Sequence, residues 1–248
     1  LDQLLEPISP GAPAGTSARG AAAYGQNGHA SRRAAANPQE GAAARERVVK
    51  LATELLAGRS KDLQVAAWLA EAWTVQHGLP GLAGGLDLAR ALLDRYWADV
   101  HPELEEGDEE FRASPLLWMD LHLPAAVHAI PVTRAGHGLR AYRESLRVGH
   151  PPDDGADKAA RQDWERAMEA GLVSADVFEP GLAATPAAWL VERRAETGVA
   201  EAALEALERV CAERFTAPAP RFPALRRAVE ELRATFDDLL KDKGVAGG

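Results

Sequence analysis

Three side chains near the middle of the chain, Asp120, His122 and His128, offer imidazole and carboxylate together, a donor set that suits zinc or a similar ion and, through a metal-bound water, hydrolysis. Their spacing argues against it. His122 and His128 are six residues apart, which on a helix is a rotation of about 240° and leaves them about 120° from each other. Pro124 stands between them, so the i, i+4 pair of a helical zinc motif is absent. Ordinary helix-end or partly buried histidines are expected. The acidic run from Glu103 to Glu110 could bind calcium, yet it lacks the alternating Asp/Asn ligands and the distant glutamate of a calcium loop. It reads as a solvated connector, with Asp108 capping the following helix and Glu109 and Glu110 complementing its dipole. Gly78, Gly81, Gly84 and Gly85 could suggest a phosphate loop, but no strand precedes them and no Gly-Lys-Ser/Thr follows. They predict a turn and a close approach of two helices. Cys211 lies on an apolar stripe without a defined histidine, and Ser17 lacks the strand-turn-helix of a nucleophile elbow. No catalytic residue, no cofactor site and no metal set is assembled.

The elements that carry these residues are helical. Ala, Leu, Glu and Arg dominate the 248 residues while β-branched and aromatic types are sparse. The fold class expected is all-α, a multi-helix bundle of antiparallel helical hairpins with a flexible N-terminal arm. Residues 1–41 are rich in Ala, Gly, Ser, Asn and Pro without apolar period and form that arm. Residues 42–132 are the helical core. The first helix, from about Ala42 to Ala57, turns Val48, Leu51, Leu55 and Leu56 inward. The second starts at a Ser60 cap, with Asp62 complementing the dipole, and buries Leu63, Ala66, Ala67 and Ala70. The third runs from about Pro80 to Val100 and is stopped by Pro102. Ser114-Pro115 opens a fourth, which Pro124 bends or splits. Residues 133–156, with six Gly or Pro, read as a hinge or loop. Residues 157–243 form a C-terminal helical subdomain packed on the core: a helix from about Asp157 to Ala170, another opened by Thr185-Pro186, and a last hairpin marked by Leu204, Leu207, Val210, Cys211 and Phe215, then by Leu225, Val229, Leu232, Phe236 and Leu239.

Composition limits function. A formal charge of −9 disfavours nucleic acid or anionic lipid as the main partner. No segment approaches the ~20 apolar residues needed to cross a bilayer, and no basic stretch followed by an apolar run marks a signal peptide. A single cysteine fits a reducing, cytoplasmic home. Leu1 and the closing Gly247-Gly248 look like the edges of a fragment.

One run is more specific than helix physics requires. S-K-D-L-x-V-A-x-W-L from Ser60 to Leu69, the glycine-punctuated G-L-x-G-L-x-x-G-L-x-L from Gly78, and L-L-x-x-Y-W-x-D-x-H-P ending at Pro102 resemble the ImpA N-terminal domain of TssA-type proteins of the bacterial type VI secretion system. Fainter echoes lie in Leu4-Leu5-Glu6-Pro7-Ile8-Ser9-Pro10, in Ile130-Pro131-Val132-Thr133 and at Tyr142. The resemblance implies a non-enzymatic assembly component that binds baseplate or tail tube and sheath proteins. It also implies that the whole protein is a homo-oligomer formed through a separate C-terminal region not recognisable here. The residues it carries over are Asp62, Trp68, Leu69, Tyr96, Trp97, His101 and Pro102. Their implied roles are structural: Trp68, Leu69, Tyr96 and Trp97 pack the hairpin and His101-Pro102 terminates it. Trp68 and Trp73, five residues apart, point about 140° away from each other, so one of them covers a second surface; Trp73 and Trp118 are the candidates for partner binding. The same domain occurs in TagA-like proteins that hold the distal end of the sheath. In a different class, a metal-dependent hydrolase would be built around His122, His128 and the acidic connector.

Overall fold

The computed structural model describes residues 38–104, 107–153, 155, 157–216 and 218–245. Regular structure among them is all-α: α1 (Pro38–Gly58), α2 (Leu63–His77), α3 (Leu79–Tyr96), α4 (Glu110–His128), α5 (Leu139–Val148), α6 (Lys158–Glu169), α7 (Ala175–Ala183), α8 (Ala187–Arg214) and α9 (Pro223–Asp242). The arm expected over residues 1–41 lies outside the described residues as far as residue 37, and α1 already begins at Pro38.

Five of these helices close a circuit. α2 packs on α3, α3 on α8, α8 on α9, α9 on α4, and α4 back on α2; α1 lies against α2, and α5 pairs with α7. The residues that fill the circuit recur at helical intervals along each member. Leu82, Leu86, Ala89 and Leu93 of α3, Leu116, Met119, Leu123 and Val127 of α4, and Leu225, Leu232, Phe236 and Leu239 of α9 are all buried in one cluster. α1 buries only part of the face expected: Leu55 and Leu56 turn inward, Val48 and Leu51 do not. Ala52 and Leu56 are buried, with Val49 and Leu55 packed beside them, while Val48 and Leu51 face outward. The periodicity of α1 leaves two adjacent apolar stripes, and contact with α2 selects one.

The α2–α3 contact is set by glycines. Gly78, at φ +66°, ends α2 and starts α3 in a conformation that other residues rarely adopt. A methyl group on Gly81 would sit 2.0 Å from the Trp73 carbonyl oxygen, and one on Gly85 would sit 2.4 Å from the Ala70 Cβ. The contact points climb α3 while they descend α2, and at each the two backbones approach as closely as only a missing side chain allows.

Several boundaries differ from the expectation. α2 begins at Leu63, and its cap is Asp62 rather than Ser60: the Asp62 carboxylate accepts from the Gln64 and Val65 N–H groups at 2.8 and 3.2 Å. α3 ends at Tyr96, so His101-Pro102 does not terminate it; the chain turns at Asp99 and Val100, whose N–H groups both return to the Tyr96 carbonyl. α4 begins ahead of Ser114 and runs without a break through Pro115 and Pro124. Each proline removes one ladder bond, but the buried face packed against α2 and α9 holds the rod together. Residues 133–156 contain α5, because Gly138 and Gly149 bound a helix and do not break one. α7 has no marker in the apolar pattern, and Pro180 and Gly181 stand inside it. The two helices expected between Thr185 and Phe215 are a single helix of 28 residues, α8, continuous through Gly198. α6 and α9 lie close to where the periodicity places them.

The glycine register yields a paired expectation. Gly85→Ala should lower stability by about 1–3 kcal/mol through overpacking against Ala70. Gly84→Ala meets only Trp73 ring atoms at 3.8 Å and should be neutral or stabilising by up to ~1 kcal/mol, since alanine is the better helix former. Urea unfolding of the two variants side by side measures the difference.

Candidate functional site

The residues of the most distinctive sequence run meet where four helix ends come together. Helix ends leave backbone groups without partners, C-terminal carbonyls and N-terminal N–H groups, and burying them requires side-chain substitutes. Lys61, 3% exposed, donates from Nζ to the Leu56 carbonyl in the last turn of α1 at 2.7 Å and lies 5.4 Å from the Tyr96 ring centroid. Asp62 caps the start of α2; burial pushes its carboxyl up, against the two N–H bonds that pull it down. Arg112 of α4 is fully buried and donates to three carbonyls beyond the end of α3: Nη1 to Trp97 at 2.6 Å, Nη2 to Val100 at 2.7 Å and Nε to Pro102 at 2.9 Å. Its guanidinium stacks 4.8 Å from the Trp97 ring. Burial lowers its affinity for the proton, with Glu109 and Glu103 opposing. Both cations sit at the negative ends of helix dipoles, where positive charge is favoured.

His101 locks the junction through its backbone. Its N–H donates to the Lys61 carbonyl at 2.8 Å and its carbonyl accepts from Leu63 N–H at 2.9 Å. The His101-Pro102 peptide bond is cis. Trp97 also meets Phe215 edge-on at 5.0 Å, which ties the junction to the end of α8. Leu69 is fully buried, as expected of a core residue. Trp68 and Trp73 exchange the places expected of them. Trp68 is 39% exposed, whereas Trp73 is half-buried with its ring against Gly84 and the core. Lys61 and Arg112 were missed as site residues, because a charged residue in a sequence reads as surface until its carbonyl partners are known.

The groups that could have done chemistry are dispersed. Asp120 accepts the Leu225 N–H at 2.8 Å and so caps the start of α9. His122 stacks on Trp118 at 4.3 Å, near Glu71, whose carboxyl burial pushes up. His128 bonds Glu231 at 3.1 Å, and Arg143 shares that carboxylate at 2.8 Å. Among the described residues no three His, Cys, Asp or Glu side chains converge to hold a metal. Of the acidic connector, Glu105 and Glu106 lie outside the described residues; Asp108 accepts the Glu110 N–H at 2.8 Å. The Cys211 thiol is buried and pushed up to about 12.

What the chain presents instead is an uncharged helix face. On the solvent side of α4, Phe111, Leu117 and Leu121 are exposed, Leu121 to 74%, alongside Ser114, His122 and Ala125, with half-buried Trp118 beside them. Between Phe111 and His128 the only formal charges are Arg112, buried in the junction, and Asp120, bound to α9. An exposed apolar patch of this kind is characteristic of a surface that meets another protein.

Comparison with known proteins places these features. The sequence pattern described as ImpA, N-terminal, type VI secretion system, matches residues 5–120. The chain is 36% identical over 197 residues to the type VI secretion system component TssA1 of Pseudomonas aeruginosa. That alignment covers 77% of this chain and 53% of that protein, so the chain spans about half the length of the curated relative it matches. Among solved structures, the N-terminal domain, including the conserved ImpA_N region, of the TssA component from Burkholderia cenocepacia is similar with a TM-score of 0.78 at 26% identity, covering 99% of this chain and 95% of that one.

Two outcomes test the junction and the buried thiol. Arg112→Met strands three carbonyls in a dry site and should cost about 3–5 kcal/mol of unfolding free energy, read by urea titration. Cys211 should react with a thiol reagent two to three orders of magnitude more slowly in the folded chain than in the unfolded one, at about pH 8, followed by absorbance.

Proposed function

Residues 5–120 are the ImpA N-terminal region of a TssA-type component of the type VI secretion system, and from that premise we propose that this chain is a non-enzymatic assembly module that docks baseplate or tail tube and sheath subunits in the cytoplasm. The observation that carries the reading is the uncharged outer face of α4, Phe111, Leu117 and Leu121, on a helix whose inner face is fixed to α2 and α9. A rigid helix with exposed leucines and a phenylalanine suits recognition by a partner helix or groove. Trp118 stacked on His122 supplies an aromatic anchor at its edge. The dispersal of Asp120, His122 and His128 to three different partners supports a binding role over metal-dependent hydrolysis. Self-association of the longer protein belongs, in this reading, to sequence outside the chain.

The test uses purified baseplate, tube and sheath subunits of the cognate apparatus. A Leu117→Glu/Leu121→Glu double variant should retain the wild-type melting temperature, since both side chains are exposed. It should lose at least about tenfold in affinity for the subunit that wild type captures. Unchanged capture by this variant would remove α4 as the docking face, and failure of wild type to bind any of the subunits would sink the assembly reading.

A further inference from the structure

We propose that the cleft between α5 and α6, centred on Arg147, binds an acidic peptide segment of a partner protein. Two cavities open on either side of this residue. The larger, about 560 Å³, is walled mainly by apolar groups including Val148, Trp164, Ala167 and Leu172, with His150 and the Asp163–Arg166 pair at its side. The smaller, about 230 Å³, is lined by His128, Leu139, Arg140 and Arg143, with the Glu144 carboxylate among them. Arg147 belongs to both. The site therefore sets one shared guanidinium between a mainly apolar pocket and one rich in cationic side chains, in a chain whose formal charge is −9.

Four acids beside the cleft have partners of their own. Glu144 accepts from Arg140 Nε at 2.6 Å and from the Val173 N–H at 3.1 Å. Glu231 is held by Arg143 and His128, Glu179 lies 3.0 Å from His150, and Asp163 bonds Arg166. Arg147 is exposed and makes no ion pair within 4.0 Å among the described residues; Glu144 feels its charge but is bonded elsewhere. An arginine in this position presents a planar fork that takes a carboxylate with two parallel hydrogen bonds. The Trp164 indole N–H is buried without an acceptor among the described residues. A backbone carbonyl of a bound segment would satisfy it once the ring turns toward the cleft.

A carboxylate beside an aliphatic or aromatic side chain is the chemistry of an acidic peptide, and the two cavities accommodate alternate side chains of an extended one. The few cations here are too sparse to track a nucleic-acid backbone. Every residue of the cleft except His128 lies on α5, α6 or the segments beside them, all past residue 120 where the family pattern ends. The proposal is thus independent of the docking face on α4.

Fluorescence anisotropy with a short labelled peptide alternating glutamate and leucine, and its glutamine counterpart, tests the site. The glutamate peptide should bind at least about tenfold more tightly than the glutamine one, and added salt should weaken it. Arg147→Glu should abolish the preference, Arg147→Lys should retain part of it, and Trp164→Ala should weaken both peptides alike. Circular dichroism confirms that each variant is folded, and Leu117→Glu/Leu121→Glu should leave the peptide affinity unchanged. Equal binding of the two peptides, an unaltered affinity in Arg147→Glu, or no binding of the glutamate peptide to wild type would each overturn the proposal.

Discussion

The guanidinium of Arg112, withdrawn entirely from water and divided among the carbonyls of Trp97, Val100 and Pro102, is the contact on which the placement of the first four helices depends. A helix that stops inside a protein leaves carbonyls that must find donors or remain unpaired at a cost of about 1–3 kcal/mol each. α1 and α3 both stop near one point. Lys61 and Arg112 answer that demand from neighbouring elements, so that each cation is held by the end of a helix it does not belong to. Asp62 and Asp108 do the converse for the N-terminal ends of α2 and α4. Among the described residues no carboxylate lies within ion-pair distance of Arg112; helix-end carbonyls and the Trp97 face hold its guanidinium, with the charges of Glu109 and Glu103 farther off, an arrangement that fixes direction as well as distance.

That rigidity bears on the docking role proposed for α4. A module that docks other proteins gains affinity when its surface is ordered in advance, because less freedom is lost on binding. The outer side of α4 is continuous with Arg112 on the inner side of the same helix, so the junction sets the pose of Phe111, Leu117 and Leu121. The glycine contacts of α3 with α2 do the same for Trp73, whose ring is pressed against Gly84 and leaves Trp68 as the tryptophan nearest to solvent on α2.

The sequence made some of this legible and hid the rest for physical reasons. The α2–α3 pair, the all-α class and the packing role of Gly81 and Gly85 follow from periodicity and from glycines spaced along one helix face. α9 follows from a single strong stripe. α5 was hidden because Gly138 and Gly149 look like breakers and act as boundaries. α8 reads as two helices because its apolar markers fall in two groups; Gly198 between them, which costs a free helix about 1 kcal/mol, is tolerated where the rest of the rod packs on α3 and α9. Pro115 and Pro124 likewise suggested ends that tertiary packing overrides. Lys61 and Arg112 could not be recognised from their own positions, since what makes them structural is carbonyls contributed from five to fifteen residues away. The tryptophan assignment failed for a related reason: helical geometry says that two side chains diverge and leaves open which one points inward.

The closed circuit of five helices has a bearing on where the family pattern ends. That pattern stops at residue 120, partway along α4, yet α3 and α4 bury their far sides against α8 and α9, which come later in the chain. The stretch that carries the pattern is thus smaller than the stretch needed to keep its own interior dry. What the last two helices must supply at that seam is shape and volume, a demand that many combinations of apolar side chains can meet.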